Sequence, residues 1–142
     1  MNGKVVAVTG AAGFIGGRLV SRLAGESCTI LRVTRSAAPP LTGAAATIVD
    51  IEGDVGARAV WNRVAAADVI IHLAAQTSVA VADEDPGRDF CANVMPVRHL
   101  IDACRAGGRA PLVLFAGTVT EAGAPSRVPV NEDAPDEPLT TY

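Results

Sequence analysis

The chain has 142 residues, 49% of them hydrophobic, 19% charged and 4% aromatic, with a formal net charge of −3. That is enough for one domain with a real core, too apolar for a disordered chain, and too acidic for a protein that binds nucleic acid by neutralising phosphates. Arg18, Arg32, Asp50 and Glu52 break every candidate membrane span, no basic leader precedes the first apolar run, and Cys28, Cys91 and Cys104 are spaced as reduced thiols, so a cytoplasmic location is expected.

Two kinds of apolar segment alternate along the chain. Lys4–Val8, Cys28–Val33, Thr47–Val49, Asp68–His72 and Pro111–Phe115 are short and nearly continuous, the pattern of strands buried on both faces of a parallel sheet. Between them lie helical spacings. Phe14, Ile15, Leu19, Val20 and Leu23 share one face, with Arg18, Ser21 and Arg22 opposite; Val55–Ala66 and Val94–Cys104 show similar stripes. Strands that alternate with helices need crossovers, so the order predicts an α/β fold with a doubly wound parallel sheet over residues 1–142. The Ala/Pro-rich stretch Ala37–Ala46 reads as a loop, and the proline-rich tail Glu121–Tyr142 as irregular.

The chemistry starts after the first strand, at Thr9-Gly10-Ala11-Ala12-Gly13-Phe14-Ile15-Gly16. Gly10 can turn the chain sharply, Gly13 can let backbone approach a pyrophosphate, and Gly16 can let the helix close on the sheet. Phe14 and Ile15 then open a helix whose free N–H groups and dipole face an anion. With a strand before it and a helix after it, this turn predicts a dinucleotide site. The end of the second strand reads Arg32-Val33-Thr34-Arg35-Ser36, with no acid for a ribose diol. Thr34 and Arg35 there favour the 2′-phosphate of NADP over NAD, while a solvated loop arginine fits the same residues. Asp50-Ile51 follows the third strand. Its carboxylate could accept from an adenine amino group with Ile51 packed on the ring, or it could be an ordinary turn aspartate. No metal is called for.

Together TGAAGFIGGRL, Asp50-Ile51, VIIHLAAQ, DPGRDFCANV and NEDAPDEPLTTY resemble the extended short-chain dehydrogenase/reductases, and among them the NAD(P)-dependent epimerase/dehydratase group acting on nucleotide sugars. The resemblance implies a Rossmann fold in which the backbone of His72, Leu73, Ala74 and Ala75 runs beside the cofactor. It gives Asn93 a structural and cofactor-side role and places Phe90 where an aromatic is usual. Thr118 falls at the catalytic hydroxyl and Tyr142 at the tyrosine of a Tyr-x-x-x-Lys motif, although Ala116, Gly117 and Ala122 depart from the family pattern. Because Val119 and Thr120 are not acids, dehydration is disfavoured and epimerisation or keto reduction preferred. In that chemistry the Tyr142 phenolate takes a proton from a sugar hydroxyl as hydride leaves its carbon, and Thr118 holds the same oxygen.

The motif lysine would lie beyond Tyr142. The chain is therefore expected to be the cofactor-binding part of a longer enzyme, incomplete at the C-terminal side of its sheet and inactive alone. Its nucleotide-sugar-like substrate would be held largely by a further domain. The fifth strand is expected to be an uncovered apolar edge, and the intact enzyme to form a homodimer through the helix near Phe90. The alternative is a non-catalytic, redox-sensing module that binds the dinucleotide without the Tyr-Lys pair.

Overall fold

The computed structural model describes residues 1–142. Five parallel strands form one sheet: β1 (Val5–Thr9), β2 (Thr29–Thr34), β3 (Thr47–Glu52), β4 (Val69–His72) and β5 (Leu112–Phe115), in the order β3-β2-β1-β4-β5. The first strand made is thus the central one. Alternation along it sends Val6 and Val8 to one face, where α1 (Phe14–Leu23) covers them with Val20 and Leu23. Ala7 faces the other layer, where α2 (Arg58–Val64) and α4 (Pro86–Ala106) bury Trp61, Val64 and Leu100 with Val33, Ile51 and Ile70. This is the doubly wound architecture expected of alternating strands and helices.

The second helix is shorter than the expected Val55–Ala66, and three other elements depart from the sequence expectation. The third strand runs to Glu52 rather than Val49. A short helix, α3 (Val79–Glu84), precedes α4, with the Ser78 hydroxyl accepting from the Val81 N–H. The last long helix starts at Pro86, two turns before Val94: Asp85 caps it by accepting from the Arg88 N–H at 2.9 Å, and Pro86 takes the first turn, where no N–H is needed. Its first two turns escape an apolar pattern because Asp89 and Asn93 face inward there for polar reasons described below.

The edge strand β5 leaves Leu112, Val113, Leu114 and Phe115 all exposed, the uncovered apolar edge expected of the last strand rather than the burial its apolar run alone would suggest. After it a 3₁₀ turn spans Val119–Ala122, and the tail returns across it: the Glu137 N–H donates to the Glu121 carbonyl at 2.8 Å. Gly123 allows this crossing, since its φ is +59° and the Glu137 carbonyl lies where a Cβ would be.

Candidate functional site

The strand ends on one edge of the sheet open into a cleft of about 800 Å³, lined by the glycine turn, the ends of β2 and β3, the segment after β4 and the first turns of α4. Its floor is the turn itself. Gly10 has a φ of +64°, and a Cβ there would lie 2.9 Å from the Ala74 nitrogen, so the residue must be glycine for conformation and for room. A Cβ on Gly16 would overlap the Gly10 carbonyl oxygen, which is why α1 can sit so close to the turn. Gly13 is the helix N-cap and supplies no side-chain cap, and the first turn holds no acid. The leading N–H groups and the positive end of α1 therefore have no internal anion. The side chains of Phe14 and Ile15 point to solvent, Phe14 lying under the Arg18 guanidinium, so these two residues can serve an anion only through their backbone.

The opposite wall is fixed by one buried hydroxyl. Thr9 Oγ1 accepts from the N–H groups of Leu73 (3.1 Å) and Ala74 (3.2 Å) and lies 2.7 Å from His72 Nδ1. A hydroxyl has two lone pairs and one proton. With both lone pairs engaged, the Thr9 proton goes to Nδ1, and His72 must be the neutral tautomer protonated on Nε2. Burial acts in the same direction, lowering the imidazole from 6.5 to about 4. Trp61 edge-on at 5.2 Å and Phe115 at 5.6 Å enclose the ring. His72 is thus a buried strut that holds the backbone of Leu73 and Ala74 against Gly10, and these two residues and Ala75 line the cleft.

Asn93 belongs to the next support. It accepts from the Gln76 N–H at 2.9 Å and donates to the Gln76 carbonyl and to Asp89 Oδ1, both at 3.0 Å. The Gln76 amide also donates to Asp89 at 2.8 Å. Asn93 does not line the cleft; it clamps the loop that does.

At the far end, Thr34 and Arg35 line the cleft beside Ser36, and no carboxylate stands at the end of β2. Arg35 is exposed and takes no part in any ion pair, and the same holds of Arg88 on the α4 side. The pair read at Asp50-Ile51 requires correction. Because β3 continues to Glu52, Ile51 is buried in the core and Asp50 faces Arg32 across the sheet, neither reaching the cleft. The residues that reach it after β3 are Gly53, Asp54 and Val55. Asp54 Oδ1 accepts from the Gly56 N–H at 2.7 Å, leaving Oδ2 free, and the buried Trp61 indole donates to the Val55 carbonyl at 2.6 Å. The signal for this shift was Gly53, a residue that ends a strand more readily than the β-branched stretch before it.

Thr118 caps the 3₁₀ turn, accepting from the Thr120 N–H at 3.3 Å, with its hydroxyl 3.0 Å from that of Thr120. No hydrogen bond joins it to Tyr142, whose carbonyl accepts from the Thr140 hydroxyl. The two residues read as a catalytic pair are therefore not hydrogen-bonded to each other. The chain holds no grouping of three His, Cys, Asp or Glu side chains suited to a metal, and no helix long and apolar enough to cross a membrane.

Comparison with known proteins gives a consistent set. The family model described as NAD dependent epimerase/dehydratase matches residues 6–142. The chain is 29% identical over 140 residues to a UDP-glucose 4-epimerase of Azospirillum brasilense, covering 96% of this chain and 40% of that protein. It is 32% identical over 146 residues to a UDP-glucose 4-epimerase of Streptomyces lividans, covering 100% of this chain and 44% of the other. Among solved structures, UDP-glucose 4-epimerase from Brucella ovis in complex with NAD superposes with a TM-score of 0.82 at 30% identity, over 98% of this chain and 43% of that one. A nucleoside-diphosphate-sugar epimerase from Agrobacterium tumefaciens gives 0.82 at 29% identity, over 100% and 45%. The chain thus spans less than half the length of these relatives.

Proposed function

Since the chain belongs to the NAD dependent epimerase/dehydratase family, we propose that its cleft holds a nicotinamide dinucleotide and that it forms the cofactor-binding part of a nucleotide-sugar epimerase or keto-reductase. The observation that carries this reading is the glycine turn: Gly10 and Gly16 are places where a Cβ would strike backbone, and Gly13 leaves α1 uncapped at the cleft floor. Backbone can approach a diphosphate there as no side-chain-bearing turn could. The NAD in the Brucella ovis epimerase structure supports the cofactor class.

At the adenosine end Asp54, with its free Oδ2, takes the role first read for Asp50, and Arg35 faces the ribose. A cationic fork with no carboxylate beside it on β2 favours a 2′-phosphate, hence NADP over NAD. A bound nicotinamide supplies a hydride acceptor and donor; the chain's own part is proton transfer and orientation. Tyr142 Oη would take the proton of a sugar hydroxyl, and Thr118 Oγ1, freed from Thr120, would donate to the same oxygen. Neither Val119 nor Thr120 offers the acid that elimination of water needs, so the reading stays with epimerisation or keto reduction. On α4, Phe90, Val94 and Ile101 form one exposed apolar stripe, the surface through which the intact enzyme would pair with a second copy.

Titration of the chain with NADPH and NADH, followed by nicotinamide fluorescence, tests the reading. Saturable binding of both, tighter for NADPH, is expected. Failure to bind either would overturn the dinucleotide site, and tighter NADH binding would overturn the role given to Arg35.

A further inference from the structure

Arg32 is the only lysine or arginine of the chain that is buried, at 4% exposed, and it sits on the α1 face of β2 among Val8, Ile30 and their apolar neighbours. Four of its five N–H groups have partners. Nε and Nη2 donate to the two oxygens of Asp50 at 2.5 and 2.8 Å, while Nη1 and Nη2 donate to the carbonyls of Pro39 (2.8 Å) and Ala38 (3.4 Å). The hydrogen bonds and charge of Arg32 hold the Asp50 carboxyl below its ordinary range. Asp50 is half exposed, but burying the Arg32 guanidinium is costly, which makes the pair a poor device for stability alone. What an apolar pair could not do is grip a loop by its carbonyls.

That loop leaves the cleft. Thr34 is fixed at the end of β2, where its carbonyl accepts from the Gly53 N–H at 2.9 Å. Ala38 and Pro39 are fixed by Arg32. Only Arg35, Ser36 and Ala37 lie between these anchors, and the first two line the cleft. A three-residue span between fixed ends has little freedom, so the anchor at Arg32 limits where Arg35 can be.

We propose that the Arg32–Asp50 pair is a positioning device that presents Arg35 to the ribose end of the nucleotide and thereby sets the preference for a 2′-phosphate over a free 2′-hydroxyl. It rests on the reading of the cleft as a dinucleotide site with Arg35 at the ribose. Arg32 and Asp50 touch no ligand in this account; they act through the loop.

Two probes that differ only by the phosphate in question, adenosine 2′,5′-bisphosphate and 5′-AMP, separate the possibilities when titrated calorimetrically into the full chain. Wild type should bind the bisphosphate about tenfold more tightly, as one charge-assisted fork implies. Arg35→Ala should abolish that preference. Asp50→Asn should reduce it to about twofold or less with 5′-AMP binding unchanged, and should have no further effect in the Arg35→Ala background. Arg32→Lys keeps the cation but loses the fork and should behave as Asp50→Asn, serving if that variant folds poorly. Retention of the wild-type preference in a variant that binds 5′-AMP normally overturns the proposal. So does parallel loss of both nucleotides in both variants, which would make the pair merely structural. A wild type without preference, with Arg35→Ala silent, instead overturns the reading of Arg35 itself and the proposal with it.

Discussion

Replacing His72 by Asn removes the one buried imidazole while keeping an acceptor, the Asn Oδ1, for the Thr9 proton. In the folded chain burial holds His72 near 4, against 6.5 for the exposed residue. The lowered value favours the neutral form in the native state, so its contribution is intact above the unfolded pKa and is lost as pH falls from 6.5 towards 4. Below that window both states carry the proton and the loss levels off. A difference of this size costs about 3 kcal/mol in full, and about 2 kcal/mol between pH 7 and pH 5. The structure adds a local reason for the loss. Once Nδ1 carries a proton, three donors compete for two lone pairs on Thr9 Oγ1, and the N–H of Leu73 or Ala74 goes unpaired beside the cleft. Urea unfolding of wild type and His72→Asn from pH 7.5 to 4.5 measures this directly. The variant should lose about 2 kcal/mol less than wild type between pH 7 and pH 5. Parallel curves would refute the tautomer argument, as would ring ¹⁵N shifts that place the neutral proton on Nδ1.

Further outcomes follow from the same geometry. Gly16→Ala should destabilise the chain by about 2 kcal/mol or more and abolish nucleotide binding, because the added methyl overlaps the Gly10 carbonyl and α1 must back away; denaturant melts and NADPH titration check both. Asp54→Asn should weaken 5′-AMP binding about tenfold with little change in stability, whereas Asp50→Asn should leave 5′-AMP binding as it is; calorimetry on the two variants discriminates between the positions. Asn93→Leu removes partners from both the N–H and the carbonyl of Gln76 and should cost about 2–3 kcal/mol, with faster hydrogen exchange confined to the segment after β4.

The parts of the fold legible in the sequence were those written in one chemistry. β1, β2, β4 and β5 are nearly continuous apolar runs, broken in β2 by Arg32, and the turn between β1 and α1 is marked by three glycines set close against backbone. Where one segment does two jobs the pattern failed. The first half of α4 buries Asp89 and half-buries Asn93 to clamp the Gln76 loop, so its apolar stripe begins only at Val94 although the helix begins at Pro86. β3 lies at the sheet edge with Val49 and Asp50 exposed, so its polarity suggested an end three residues early. That short displacement moved the expected acidic residue from Asp54 to Asp50. The partnership of Asp50 with Arg32 depends on strand register, which pairs these two residues directly and which no local pattern encodes.

The strand order has a consequence for how this chain comes into being. β1 is made first and sits at the centre of the sheet, yet its partner on one side, β4, begins at Val69. At about 5–20 residues per second of synthesis, that edge of β1 waits several seconds after β2 is available on the other. During this interval Val6 and Val8 belong to an unpaired apolar edge on the ribosome. The arrival of β4 closes it together with the Asp68 carboxylate, which accepts from the Val5 N–H at 2.9 Å. Slowing translation between β2 and β4 should therefore lower the soluble yield of this chain more than an equal pause after β4.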